Sequence, residues 1–360
     1  MLGFCRGAGE HADMVGLFKL ATAALCGALL FAAGVACAQD KPGPVGMRQI
    51  EFTDGDRTLS LVMFYPATSD GTAKPFFMPF YTNINLLADA TPSFDGTKRP
   101  LVMFSHGRGG NALGYAWFGQ YLAGRGFIVA ALNHYRANTY DSNIVYQSNR
   151  LWQRPVDIRL AISFLLKDPA WARMIDADRI GVAGHSQGGF TALWLGGAKV
   201  SAEGYLAFQR GWRNNQMVPE YLRREMPLDP GPALDVRDPR IKAAFAMAPG
   251  IIKVFGMDEA GLRAMAIPSY LTVGARDTAT PPGPNAEFAA ANMPNAQLAI
   301  LPGLVDHEIF TNECNAEGRD EFPGGCIDAP SVDRAAIHQT VGQAAVRFFR
   351  ATLGIPTPRP

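Results

Sequence analysis

Residues 179–193, RIGVAGHSQGGFTAL, constrain the fold more than any other part of the 360-residue chain. The run from Arg179 to Ala183 reads as a short buried strand, and the residues from Gln187 onward read as the start of a helix. Between them lies Gly-x-Ser-x-Gly, with Ser186 flanked by Gly184 and Gly188. A chain that turns this sharply from strand into helix needs glycine on both sides, because a side chain there would collide with the returning backbone. The serine is then held in an unfavourable backbone conformation that lifts its hydroxyl to the carboxyl edge of a sheet. Five letters alone are a weak signal. The strand-turn-helix context makes Ser186 a candidate nucleophile rather than an idle turn residue.

The rest of the chain fits the same kind of sheet. Short apolar strands are expected over residues 101–104, 127–132, 179–183, 241–247, 269–273 and 297–301. Helices are expected over 113–124, 154–166, 187–196, 285–292 and 334–353. This alternation predicts one α/β domain, residues 39–360, with a mostly parallel central sheet and helices on both faces. Upstream, MRQIEFTDGDRTLSLVMFYPA reads as an antiparallel pair of strands turning at Asp54-Gly55-Asp56. Residues 199–240 are too long for a simple connection and carry Tyr205, Phe208, Trp212, Met217 and Tyr221. They read as a helical cap over a pocket, with a surface excursion as the alternative.

A serine hydroxyl is nearly inert until a base takes its proton, so a histidine and a carboxylate are required. PSYLTVGARDTATPP is a strand running into a turn that places Asp277 just past the strand's carboxyl end. AQLAILPGLVDHEIF repeats the arrangement and places His307 in the following loop. Ser186, Asp277, His307 is the chain order expected for hydrolases with this turn. His106 and His134 precede the serine, His185 lies inside the motif, and His338 sits on a C-terminal amphipathic helix; all four read as structural. Asp306 reads as loop structure, and Asp157 and Asp258 lack a strand-end position. The backbone amides of Gln187, beside the serine, and of Arg108, in LVMFSHGRGGN, are the candidate donors to a tetrahedral oxyanion. The chemistry is complete without a metal or organic cofactor.

Charge and cysteines place the chain. With 33 basic and 32 acidic side chains, its balance does not point to nucleic acid or an anionic membrane. Residues 1–38 read as a signal peptide cleaved after Ala38, with translation from Met14 as a variant start. An uncleaved anchor and a lipoprotein signal at Cys37 are the alternatives. Cleavage implies a secreted or periplasmic protein without a stable membrane anchor. It would leave only Cys314 and Cys326, which in an exported chain suggest one disulfide; free thiols or a metal pair are the alternatives.

The segments FSHGRGG, RIGVAGHSQGGFTAL, DPRIKAAFAMAPG, VGARDTATPP and DHEIF resemble those of α/β-hydrolases. The likeness is to the branch that groups platelet-activating-factor acetylhydrolases with dienelactone-hydrolase-like proteins. Secreted polyester hydrolases of the cutinase-like group are similar in layout and also carry a cysteine pair near the histidine. The resemblance implies an α/β-hydrolase fold, a Ser186-His307-Asp277 triad and oxyanion amides at Arg108 and Gln187. It further implies hydrolysis of a small-molecule or polymeric ester through an acyl-enzyme. Polyester hydrolysis and short-chain phospholipid deacetylation are alternatives within esterases, and an amidase, a peptidase or a non-catalytic binding protein are alternatives outside them. Two departures stand out. Dienelactone hydrolases use a cysteine where Ser186 stands, and relatives have apolar or aromatic residues where Arg108 and Gln187 stand. Those two side chains are expected to face the acyl pocket or solvent. Arg108 would then either favour substrates bearing a carboxylate or pair with a nearby acid.

Overall fold

The β-strands follow the apolar runs, and the order in which they pair sets where a site can form. The computed structural model describes residues 41–69, 71, 73–229, 231 and 235–355; the expected signal segment, residues 1–38, lies outside them. Among the described residues no helix is long and apolar enough to cross a membrane. The strands are β1 (Val45–Asp54), β2 (Arg57–Pro66), β3 (Lys74–Phe76), β4 (Leu86–Ala88), β5 (Arg99–Ser105), β6 (Ile128–Asn133), β7 (Ile175–His185), β8 (Ile241–Met247), β9 (Ser269–Gly274) and β10 (Ala296–Leu301). They form one sheet in the order β10-β9-β8-β7-β5-β6-β2-β1-β4-β3.

β5 to β10 are parallel to their neighbours, and β2 joins β6 antiparallel. β1 and β2 are the expected hairpin, closed between Asp54 and Arg57, with Gly55 at φ 61°. Every residue of β5 after Arg99 is buried, so both faces of the central sheet are covered. This is why parallel strands read as continuous apolar runs rather than alternating ones. Helix Ala116–Ala123 packs with Arg334–Thr352, and helix Gln153–Leu165 packs with Gln187–Gly196. Trp194, Phe104, Phe118 and Phe245 are among the largest fully buried side chains of the core they enclose.

The chain passes from β5 to β6 on one side and returns to β7 on the other, so the direction of winding reverses beside β5. Loops leaving adjacent strands there diverge and open a crevice at their carboxyl ends. Ser105 of β5 pairs with Gly184 of β7 at that point, which brings the His106-Gly107-Arg108 loop beside Ser186.

Residues 199–240 hold two helices, Ala202–Asn214 and Glu220–Glu225. Tyr205, Phe208, Gln209 and Trp212, spaced as one helix face, are the inward side of the first. Tyr205 is fully buried; its hydroxyl donates to Asn149 O and accepts from Leu151 N at 3.0 Å. Gln209 Nε2 donates to Asn149 Oδ1 at 2.6 Å. The segment is thereby pinned to residues 149–152, and its described residues do not line the cavity at Ser186.

Candidate active site

β7 ends in His185, and helix Gln187–Gly196 begins one residue after Ser186. Ser186 sits at φ 57°, ψ −121°, a conformation that side chains rarely adopt and that costs about 1–3 kcal/mol. The surroundings enforce it. A Cβ on Gly188 would lie 1.9 Å from the Ser105 carbonyl oxygen, and one on Gly184 would lie 2.3 Å from Gly188 O. The Ser186 amide donates to Met247 O at 2.9 Å, and Gly250 N donates to Ser186 O at 2.8 Å.

The loops after β9 and β10 bring Asp277 and His307 together: His307 Nδ1 lies 2.7 Å from Asp277 Oδ2. Both side chains are buried except for the exposed edge of the imidazole. Thr280 completes the carboxylate's surroundings, its amide donating to Asp277 Oδ1 at 2.6 Å and its hydroxyl lying 2.9 Å from Oδ2. Asp306 has the loop role expected of it. Its Oδ1 accepts from His307 N at 2.8 Å and from Thr278 N at 3.0 Å, tying the histidine loop to the aspartate loop.

Ser186 and His307 line the same cavity, of about 340 Å³, although no hydrogen bond joins the hydroxyl to the imidazole in this arrangement. Such bonds commonly tighten only when substrate binds. The walls include Arg108, Tyr81, Phe322 and the disulfide Cys314–Cys326, whose Cα atoms are 5.5 Å apart. Glu308 also faces it; burial raises its carboxyl, partly offset by the neighbouring His307. Among the described residues, the amides of Arg108 and Gln187 donate to no protein acceptor.

The two unusual side chains differ in fate. Gln187 faces neither an acyl pocket nor solvent: it is buried behind the elbow, with Nε2 donating to Gln147 O at 2.7 Å. Arg108 is exposed, donates to Ser148 Oγ at 3.0 Å, and forms no ion pair with a described carboxylate. The acid pairing considered for it is therefore not formed.

The other histidines are packed and bonded. His185 Nδ1 lies 2.9 Å from the Tyr115 hydroxyl, which accepts from Gly107 N at 3.1 Å, while Nε2 lies 3.1 Å from His307 O. Burial, then the adjacent His307, holds the His185 ring well below the usual histidine range, so it remains neutral. Asp258 caps helix Glu259–Arg263. Thr280 and Tyr115 were not singled out by sequence reasoning. Thr280 had a local signal, an Asp-x-x-Thr spacing that lets the aspartate accept from an amide three residues on. Tyr115 had none, since its partner His185 is 70 residues away.

Residues 80–151 match the family model of platelet-activating factor acetylhydrolase, isoform II. That stretch contains the Arg108 loop but not Ser186, Asp277 or His307. No curated protein matches the sequence. The structure is similar to that of a ferulic acid esterase from Streptomyces cinnamoneus, with a TM-score of 0.60 and 22% sequence identity, over 88% of this chain and 93% of that one. The sheet order, the strand-to-helix elbow at its switch point and this likeness agree: the chain has the α/β-hydrolase fold, and its residues 80–151 match the pattern of the platelet-activating factor acetylhydrolase isoform II family.

Proposed function

We propose that the protein is an exported serine esterase that cleaves carboxylic esters through an acyl-enzyme on Ser186. The observation that carries this reading is the His307–Asp277 couple opening onto the same cavity as a serine held at a strained elbow. His307 Nε2 takes the proton of Ser186 Oγ as that oxygen bonds to the ester carbonyl carbon. Asp277 accepts from Nδ1–H, fixing the tautomer and stabilising the imidazolium. The negative charge moves to the carbonyl oxygen, where the unspent Arg108 and Gln187 amides receive it. Collapse breaks the bond to the alcohol oxygen, which leaves with the proton from His307. Water then repeats the attack and releases the acid.

The cavity is at the small end of ligand pockets, which run from about 300 Å³ upward. A short acyl group or a single aromatic ring suits it better than a long chain. The acetylhydrolase pattern over residues 80–151 and the ferulic acid esterase likeness point the same way. Export is supported by the signal-like residues 1–38 and by the Cys314–Cys326 disulfide, a bond that persists in oxidising compartments.

A fluorophosphonate probe should label the wild type and fail on Ser186→Ala. Hydrolysis of a panel of acetyl, aryl and long-chain esters, a short-chain phospholipid, polyester film and a peptide amide then sorts substrates. Labelling that persists in Ser186→Ala, or turnover confined to the amide, would overturn the esterase reading.

A further inference from the structure

Arg154, on helix Gln153–Leu165, is 1% exposed, and the mechanism above gives it no role. A buried cation is normally neutralised by a carboxylate. Among the described residues Arg154 forms no ion pair. The nearby buried carboxylate, Asp157, is engaged by Arg57, by His134 Nδ1 at 3.1 Å and by Tyr135 N at 3.2 Å. Arg154 Nε has no hydrogen-bond partner among the described residues.

Among the described residues, every hydrogen bond its guanidinium makes goes to one of two places. Nη2 donates to the His106 carbonyl oxygen and, at 3.2 Å, to Ser105 Oγ. Nη1 donates to Gln187 Oε1 at 3.3 Å. Ser105 Oγ is held in turn, 2.8 Å from His134 Nε2. The first pair of acceptors belongs to the segment that leads into Arg108; the last belongs to the residue after Ser186.

The pairing of β5 with β7 ends at Ser105 and Gly184. Beyond that point the sheet no longer fixes the spacing of the two loops. We propose that Arg154 is a positioning residue for the oxyanion hole, its planar guanidinium clamping the loop that carries the Arg108 amide to the residue that carries the Gln187 amide. The inference rests on the reading of those two amides as the oxyanion donors. A planar fork suits this task because it fixes two directions at once, which an ammonium does not. Burial lowers the guanidinium's pKa to about 9, partly offset by Asp157, so it stays charged at neutral pH. Its charge behind the amides also favours an oxyanion in a water-poor site.

The test compares Arg154→Gln, Arg154→Lys and Gln187→Met, the last cutting the Nη1 link together with the bond to Gln147 O and leaving the backbone amide. Folded sites are counted by the endpoint of fluorophosphonate labelling, so that loss of stability does not masquerade as loss of rate. Losing a whole oxyanion donor lowers kcat by about 10²–10³-fold. Misplacing both amides should lower kcat per labelled site about 10²-fold in Arg154→Gln and Arg154→Lys, with KM changed less than about threefold. The affinity of a trifluoromethyl ketone, which forms a tetrahedral adduct, should weaken by the same factor as kcat/KM. Gln187→Met should show a smaller loss, about fivefold, in the same pattern, and it carries the test if the Arg154 variants do not fold. Normal kcat per labelled site and an unchanged ketone-to-substrate affinity ratio would overturn the inference, leaving Arg154 a purely structural residue. Failure of the esterase reading itself is distinguishable, because it appears as labelling that survives in Ser186→Ala.

Discussion

Thr280 is the residue on which the histidine and its carboxylate converge. Its hydroxyl lies 2.9 Å from Asp277 Oδ2 and 3.2 Å from His307 Nδ1, and Ala248 O is 3.2 Å away. Thr280→Val keeps the shape and removes the hydroxyl. A hydrogen bond to a charged group is worth about 1.5 kcal/mol, or about tenfold in rate. We therefore expect kcat to fall about tenfold with KM nearly unchanged, as measured by steady-state ester hydrolysis; an unchanged kcat would show the hydroxyl to be idle. Arg108 raises a different question at the same scale. Its guanidinium is exposed beside the cavity, bonded to Ser148 and without a carboxylate partner among the described residues. A carboxylate on the substrate would supply that partner. The kcat/KM ratio of a half-acid ester to its neutral analogue should fall about tenfold in Arg108→Ala, and an equal ratio in both proteins sinks the idea.

At the scale of elements, the loop that closes the cavity is built from short pieces held by cross-links. Helices Ala316–Glu321 and Pro323–Cys326 lie within the span closed by Cys314 and Cys326, 12 residues apart. Arg334 braces the same loop, donating to Thr311 Oγ1 at 2.9 Å and to Asn312 O at 3.1 Å. Closing a span of this size contributes about 3 kcal/mol in the chain-entropy account. Cys314→Ser/Cys326→Ser should lower Tm and kcat together, and a reductant should reproduce both losses in the wild type but add nothing to the variant. Unchanged Tm and activity would mean that Arg334 alone holds the wall. What the sequence revealed of these elements follows their physics. Strands buried on both faces make continuous apolar runs, so β5 to β9 were legible, although β7 begins at Ile175 rather than 179; β10 stood out by its apolar letters alone, since this edge strand leaves Leu298 and Ile300 exposed. β3 and β4 have three residues each, too few to show a period. The helical, aromatic-rich character of residues 199–240 was legible, but the docking of helix Ala202–Asn214 on Asn149 depends on a tyrosine hydroxyl 56 residues away. In the same way Ser186, Asp277 and His307 stood out by order and strand-end position. The burial of the Gln187 side chain did not, because it is set by Arg154 and Gln147, 33 and 40 residues distant.

At the scale of the whole molecule, four buried histidines other than His307 govern how stability responds to acid. Burial lowers His106, His134 and His185 well below the usual range, with Arg154 adding to the effect on the first two and His307 on the third. His338 is held down to about 3 by burial, while its bond to Ile309 O, at 2.8 Å, opposes the shift and the charge of Arg334 adds to it. Its ring stacks on Trp117 at 3.8 Å, joining the C-terminal helix to the helix after β5. In the unfolded chain these groups take up protons below about pH 6.5, whereas in the folded chain they stay neutral. Their contribution is therefore complete above that pH and is lost as pH falls through the window below it. Asp157 works the other way: burial raises its carboxyl to about 7 despite Arg57, so its share of stability grows as pH falls through 7. Glu308, also raised by burial, acts in the same sense as Asp157, but four protons outweigh two. Each proton changes stability by about 1.4 kcal/mol per pH unit, so the net stability falls once the histidines titrate in the unfolded chain. Urea unfolding at intervals from pH 8 to pH 5 should show a plateau above pH 7 and a steepening fall below it. His338→Phe keeps an aromatic ring against Trp117, and should lower stability at pH 8 through loss of the Ile309 bond. It should also flatten the acid limb by about one proton, since one fewer neutral histidine has to be protected on folding. An acid limb with the same slope in His338→Phe and wild type, or a stability that holds level from pH 7 to pH 5, would remove the histidines as its cause.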